Sequence, residues 1–329
     1  MGSLRRIDDY PALLDEAWAQ AHAPRASDAA TVISTFAGCG GSSLGYHMAG
    51  YQELLAVEWE QNAADTFRLN FPHVPLYHGD IAKLSVDECL RLAGIAPGEL
   101  DVFDGSPPCQ GFSTAGKREI GDARNQLFRE YCRLLEGLRP RAFVMENVSG
   151  MVKGDFKLVF AEILRTLKRC GYRVKARLLN AMFYGVPQSR ERMIFVGVRE
   201  DIGREPSHPE GWSEPIRADQ VHPHFASILR GGSRENWVDS ARIFPTITKA
   251  AGTTGRTGYA SGGHFVRTRE GHERRPSLRE FQVLGSFPEA FAFCGAREDG
   301  VARIGNSVPP LLMRAIAAHV RELLRAAPR

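Results

Sequence analysis

From Thr31 onward, short apolar runs alternate with amphipathic stretches. VISTF (32–36) reads as a buried strand, followed by a glycine-rich turn and a helix-like SSLGYHMAG (42–50). LLAVEW (54–59), the end of VPLYHGDI (74–81), LDVFDG (100–105) and RAFVMENV (141–148) continue the strand series. Helical patterns over 63–71, near 85–93, over 125–138 and over 156–168 separate them. Leu127, Tyr131, Leu135 and Leu138 fall on one stripe, the spacing of a helix that buries one face. RVKARLLN (173–180) and RMIFVGVR (192–199) read as two later strands, open to an antiparallel pairing. Strands alternating with helices predict an α/β fold: a doubly wound, mostly parallel, Rossmann-like sheet with helices on both faces. Ligands of such sheets sit beyond the carboxyl ends of the strands, so polar residues there are the candidates for chemistry.

Two stretches break the rhythm. Residues 1–30 are Ala-rich and charged, with Leu13, Leu14 and Trp18 at helical spacing. They predict an N-terminal extension made of a short helix and a linker. Residues 200–275 are rich in Gly, Pro, His and Arg and predict a small, irregular second domain. The main domain then comprises 31–199 and 276–329, closed by an amphipathic helix at about 310–326.

Composition narrows the class. Hydrophobic residues make up 43% and charged residues 24%, which are globular values. With no apolar run of membrane-spanning length, a charged N-terminus without a signal-like stretch, and no C-x-x-C pair among six cysteines, the expectation is a cytoplasmic, reduced, metal-free protein, most simply a monomer. The net charge of +4 is unevenly spread. Residues 217–279 hold eleven Arg+Lys against five Asp+Glu, a local +6 that leaves −2 for the rest. Arg267, Arg269, Arg274, Arg275 and Arg279 crowd one end. Such a run is either a solvated face or a footprint for a phosphate backbone.

The strand ends carry distinctive groups. Phe36-Ala-Gly38-Cys-Gly40-Gly41 follows the first strand; its glycines let backbone approach a ligand closely. The dinucleotide fingerprint fails because its third glycine falls on Ser43. Glu58, twenty residues after Gly38, can accept bonds from ribose hydroxyls. Trp59 can stack on a purine and Asp80 can accept from an adenine amine. An adenosine-like ligand without need of a pyrophosphate points to S-adenosylmethionine rather than a dinucleotide. The alternative is a tight structural turn. Cys109 follows Pro107 and Pro108 in a polar loop at a strand end, a setting that suits an exposed nucleophile more than a core thiol. Glu146-Asn147-Val148 ends the fifth strand, and Arg190 and Arg192, two apart at the opening of a later strand, face the same side and could grip a carbonyl or a phosphate.

Taken together and in this order, FAGCGG (36–41), EW (58–59), GDI (79–81), GSPPCQGFS (105–113), ENV (146–148), QSRER (188–192), PSLREFQVLGSFP (276–288) and GNSVPP (305–310) resemble the cytosine-5 DNA methyltransferases. The resemblance spans 31–320 and is weakest at PSLREFQVLGSFP. It implies methyl transfer from S-adenosylmethionine to carbon 5 of a flipped-out cytosine in double-stranded DNA, through a covalent Cys109 adduct. It implies Glu146 on ring nitrogen 3 and the exocyclic amine, and Arg192 on the carbonyl with Arg190 in support. Around the cofactor it implies Phe36, Gly38, Gly40, Glu58, Trp59, Asp80, Ile81, Pro108, Asn306 and Val308. The small domain would read the target sequence, with Gln110, Ser113, Arg267, Arg269, Arg274 and Arg275 against DNA. A cognate restriction endonuclease is an expected partner. An RNA branch of the family shares Pro-Pro-Cys and Glu-Asn-Val, and a silent DNA-binding regulator would share the fold. The basic segment favours DNA over transfer RNA, and the intact Cys109, Glu146 and Arg192 speak against a silent protein.

Overall fold

Side-chain alternation along the strands builds a sheet buried on both faces. A computed structural model describes residues 4–108, 123–152, 156–229, 236–252 and 264–325. Strands β1 (Thr31–Thr35), β2 (Gln52–Glu58), β3 (Leu76–His78), β4 (Val102–Gly105), β5 (Ala142–Val148), β6 (Tyr172–Asn180) and β7 (Glu191–Arg199) form one sheet in the order β3-β2-β1-β4-β5-β7-β6. The first five are parallel, and β7 runs antiparallel between β5 and β6. Val32, Val102, Val144 and Val196 face one side, packing on α1 (Tyr10–His22), α2 (Gly41–Met48), α3 (Gln61–Asn70) and α10 (Pro310–Arg325). Ile33, Phe103, Phe143 and Phe195 face the other, against α4 (Val86–Ala93), α5 (Ala123–Leu138) and α6 (Phe156–Arg169). This is the doubly wound sheet that the sequence predicts.

The N-terminal helix is part of that core. Asp9 caps it, accepting from Ala12 N at 3.0 Å, and Tyr10, Leu14, Ala17 and Ala21 are buried. Ahead of it, Arg5 N donates to Trp212 O at 2.8 Å and Glu214 N to Arg5 O at 2.9 Å.

The segment read as irregular holds a short helix, α7 (Ala218–Val221), and a four-stranded antiparallel sheet. Its strands β8 (Phe225–Leu229), β9 (Trp237–Asp239), β10 (Val266–Thr268) and β11 (Glu273–Arg274) lie in the order β11-β10-β8-β9. With two to five residues each, they are too short to print a period of two. Helices α8 (Leu278–Leu284) and α9 (Arg297–Asn306) lead back to α10. Ser277 and Glu280 close a reciprocal capping box at the start of α8. Among the described residues no helix is long and apolar enough to cross a membrane, and no cluster of His, Cys, Asp or Glu is arranged to hold a metal.

Candidate active site

The glycine turn sits at the carboxyl end of β1. Phe36, Gly38 and Gly40 all adopt positive φ, at 54°, 58° and 97°. That conformation is strained for Phe36 and free for the glycines. Glu58, buried at the end of β2, closes the turn. Its Oε2 accepts from Gly38 N at 2.7 Å, and its Oε1 from Trp59 N at 2.9 Å and Glu60 N at 2.8 Å. A carboxylate offers about four lone-pair sites, so Oε2 keeps room for another donor. Trp59 is 76% exposed, a large indole face left to solvent. A Cβ on Gly38 would meet nothing within 4 Å, so there is open space in front of the turn. Asp80 lies two residues past the end of β3 rather than on it, and caps a 3-10 turn by accepting from Ala82 N at 3.0 Å. Ile81 beneath it is buried.

The C-terminal segment returns to this turn. A Cβ on Gly41 would come within 2.7 Å of Ser307 Cβ and 2.8 Å of Val308 O, so only hydrogen permits that approach. Cys39 Sγ lies 3.3 Å from Ser307 Oγ, and burial pushes the Cys39 thiol up to about 11, which keeps it an inert neutral group. Arg303 pairs with Glu60. Asn306 is exposed and Val308 buried. An exposed indole, a carboxylate with spare acceptor capacity and open space before a glycine turn therefore converge at the carboxyl ends of β1–β3. That acceptor and stacking set suits an adenosine-like ligand.

A second cluster lies at the ends of β4, β5 and β7. Glu146 and Arg192 project from adjacent antiparallel strands, with Arg192 opposite Val148 in register. Arg192 Nε donates to Glu146 Oε1 at 2.7 Å, with side chains 15% and 12% exposed. Asn147 turns the other way and is buried; its Nδ2 donates to Pro107 O at 3.0 Å. The strand that carries Glu146 is thereby tied to the Pro107-Pro108 loop, where Pro108 is exposed. Cys109, Gln110 and Ser113 lie outside the described residues. Beneath the loop, Asp104 accepts from Tyr46 Oη at 3.1 Å, and burial raises its carboxyl well above the usual range.

Arg190 is not beside Glu146 and Arg192 in the ion pair. Strand β7 begins only at Glu191, so the alternation that would align the two arginines does not extend back to Arg190. Its side chain is buried, donating through Nη1 to Ile247 O and through Nη2 to Gly305 O and Ser307 O, each at 2.8 Å. The basic end of the small sheet is likewise more engaged than its charge count implies. Arg274 bonds both oxygens of Glu280 at 2.7 Å. Arg267 pairs with Glu273 and lies 4.5 Å over Trp237. Arg275 lies 5.0 Å over Phe265. Arg269 is exposed, its Nε donating to Pro223 O at 2.6 Å. Asn147 and Gln188 stand inside motifs the sequence displays, but their positioning role shows only in their hydrogen bonds to Pro107, Leu284 and Ile247.

Comparison with known proteins shows the family. The C-5 cytosine-specific DNA methylase family matches residues 30–224 and 226–322. Type II methyltransferase M1.HphI of Haemophilus parahaemolyticus is 36% identical, over 89% of this chain and 87% of its own length. Type II methyltransferase M.XorII of Xanthomonas oryzae pv. oryzae is 32% identical, over 90% and 85%. Among solved structures, a DNA modification methyltransferase encoded within an E. coli prophage superposes with a TM-score of 0.71 at 22% identity, over 90% of this chain and 100% of that one. That last likeness speaks to the fold.

Proposed function

This chain belongs to the C-5 cytosine-specific DNA methylase family and is a sequence-specific DNA cytosine-5 methyltransferase; on that premise we propose how its residues divide the work. Cys109 is the nucleophile. Its thiolate adds to carbon 6 of the target cytosine, forming a C–S bond and moving the ring's electron pair toward carbon 5. Glu146 holds ring nitrogen 3 and the exocyclic amine, and Arg192 holds the ring carbonyl, so charge that builds on the ring is met by fixed partners. S-adenosylmethionine, when bound, supplies an electrophilic methyl group. Loss of the carbon-5 proton to a base then restores the C5–C6 double bond, and the C–S bond breaks with its electron pair leaving on sulfur, which frees the thiolate. None of these contacts is possible within a stacked duplex, so the base is flipped out of double-stranded DNA.

The observation that carries this reading is the 3.0 Å bond from Asn147 to Pro107. It anchors the loop leading to Cys109 on the same strand end that holds the Glu146–Arg192 pair. Phe36, Gly38, Gly40, Glu58, Trp59, Asp80, Ile81, Pro108, Asn306 and Val308 surround the adenosyl cofactor in this reading. Residues 200–275 read the target sequence. The Type II relatives support a place beside a cognate restriction endonuclease. Bisulfite sequencing of DNA from cells expressing the protein tests the reading: methylated cytosines in one sequence context are expected from the wild type and none from Cys109→Ser. Methylation persisting in Cys109→Ser would remove the nucleophile assignment.

A further inference from the structure

Residues 188–192 form a hub where three parts of the protein meet. Gln188 Nε2 donates to Leu284 O at 3.1 Å, while its Oε1 accepts from Ile247 N at 2.9 Å. Ser189 N donates to Phe244 O at 2.8 Å, and Thr246 Oγ1 donates to Ser189 O at 2.5 Å. Arg190 then spans from Ile247 O to Gly305 O and Ser307 O. Two residues on, Arg192 holds Glu146. One short segment thus grips 244–248, which belong to the small domain, and 305–307, which pack on the glycine turn. The fit between those two partners is close: a Cβ on Gly305 would lie 2.3 Å from the carbonyl carbon of Thr248.

Holding Arg190 here is costly. The side chain is 1% exposed, and its hydrogen bonds among the described residues go to neutral carbonyls. Its Nε is buried without a hydrogen-bond partner, and burial pushes the guanidinium down to about 9. A buried charge without a direct ion pair is expensive, and a planar fork that reaches carbonyls of two separate segments is geometry that a lysine cannot reproduce.

We propose that Arg190 is a positioning residue that couples DNA binding to cofactor binding, by making the placement of the 244–248 segment and of the end of α9 at Gly305–Ser307 one shared arrangement. It acts through its neighbours rather than on the cytosine. DNA seated on the small domain would set 247, and through Arg190 would set the end of α9 beside the cofactor turn. By linkage, cofactor binding must tighten DNA binding by the same factor. This rests on the reading of residues 200–275 as the target reader and of the turn at 36–41 as the cofactor site.

The test is binding rather than turnover. S-adenosylhomocysteine affinity is measured by titration calorimetry with and without a duplex carrying the site mapped by bisulfite sequencing. The wild type is expected to show coupling of at least about 5-fold. In Arg190→Lys the ratio is expected to collapse towards one. A loss of folded fraction would change the amount of binding but not this ratio. Gly305→Ala, which keeps every polar group but pushes Thr248 away, is expected to weaken the coupling too, and decides the matter if Arg190→Lys does not fold. No coupling in the wild type, or full coupling in either folded variant, would overturn the proposal. Methyl transfer to the same duplex is assayed in parallel: its absence in the wild type would instead count against the functional reading.

Discussion

Removing the Arg274 side chain separates two roles that its charge alone cannot distinguish. If Arg274 neutralised a DNA phosphate, its loss would flatten the plot of log affinity against log salt by about 0.9. The structure commits that guanidinium elsewhere, to both oxygens of Glu280 at 2.7 Å. Glu280 also accepts from His224 at 2.6 Å and from Ser277 N at 2.6 Å, and these partners hold its carboxyl down at about 2. Breaking a fully buried pair costs about 3–5 kcal/mol, whereas exposed pairs contribute about 0.2–1 kcal/mol. The Arg274 side chain is 38% exposed and that of Glu280 9%. Solvent screening and the two remaining partners therefore bring the expected loss to about 2 kcal/mol. Urea unfolding at pH 7 should show Arg274→Ala with a lower midpoint and an unchanged slope, while the salt dependence of DNA binding stays as in the wild type. Arg269, exposed and bonded to one carbonyl, should behave oppositely: Arg269→Ala flattens the salt plot by about 0.9 and leaves the urea midpoint in place. A flattened salt plot with an unshifted midpoint for Arg274→Ala would refute the reasoning.

Three further outcomes are expected. Trp59→Ala should weaken S-adenosylhomocysteine binding roughly fivefold, the worth of about 1 kcal/mol of ring stacking, with stability unaffected because the indole is 76% exposed; unchanged affinity by calorimetry would remove Trp59 from the cofactor site. Leu14→Ala should cost about 3 kcal/mol in urea unfolding, since this residue of the N-terminal helix is 3% exposed in the main core; a loss near zero would mean that the helix does not dock as described. His264 is neutral when folded, its ring pushed down by burial from 6.5 to about 4 while bonding Thr246 O. The stability this provides is complete above about pH 6.5 and is lost as pH falls towards 4, to the extent of about 3 kcal/mol. His264→Gln should flatten unfolding stability against pH across that window, and an unaltered curve would exclude His264 as the source.

How much was legible follows from element length and from what a residue's partner is. Strands such as Ala142–Val148, with an apolar run that turns polar near its carboxyl end, announce themselves, and Glu58 and Glu146 mark the ligand edge of the sheet. The small sheet does not, because strands such as Glu273–Arg274 are charged pairs whose only signal is their partner across the ladder. The Arg190 and Arg192 spacing suggests one shared task. The strand start at Glu191 divides them, sending Arg190 inward to carbonyls that no sequence pattern marks. Charge counting overstates the DNA face for a similar reason: Ser277-x-x-Glu280 is a visible capping signature, but nothing in it reveals that its glutamate also holds Arg274. The apolar spacing of Leu13, Leu14 and Trp18 indicates a helix and leaves open that it packs onto α2 and α7.

The central claim is that Cys109 attacks carbon 6 of a flipped cytosine, and trapping reads that bond directly. Duplex DNA in which cytosine is replaced by 5-fluorocytosine allows thiolate addition and methyl transfer, but the last step would require fluorine to leave as a cation. The complex should therefore stop with Cys109 bonded to a methylated, fluorinated ring. A denaturing gel is expected to show a protein–DNA band that requires S-adenosylmethionine and disappears in Cys109→Ser. No such band, from protein that methylates ordinary DNA, would contradict the account.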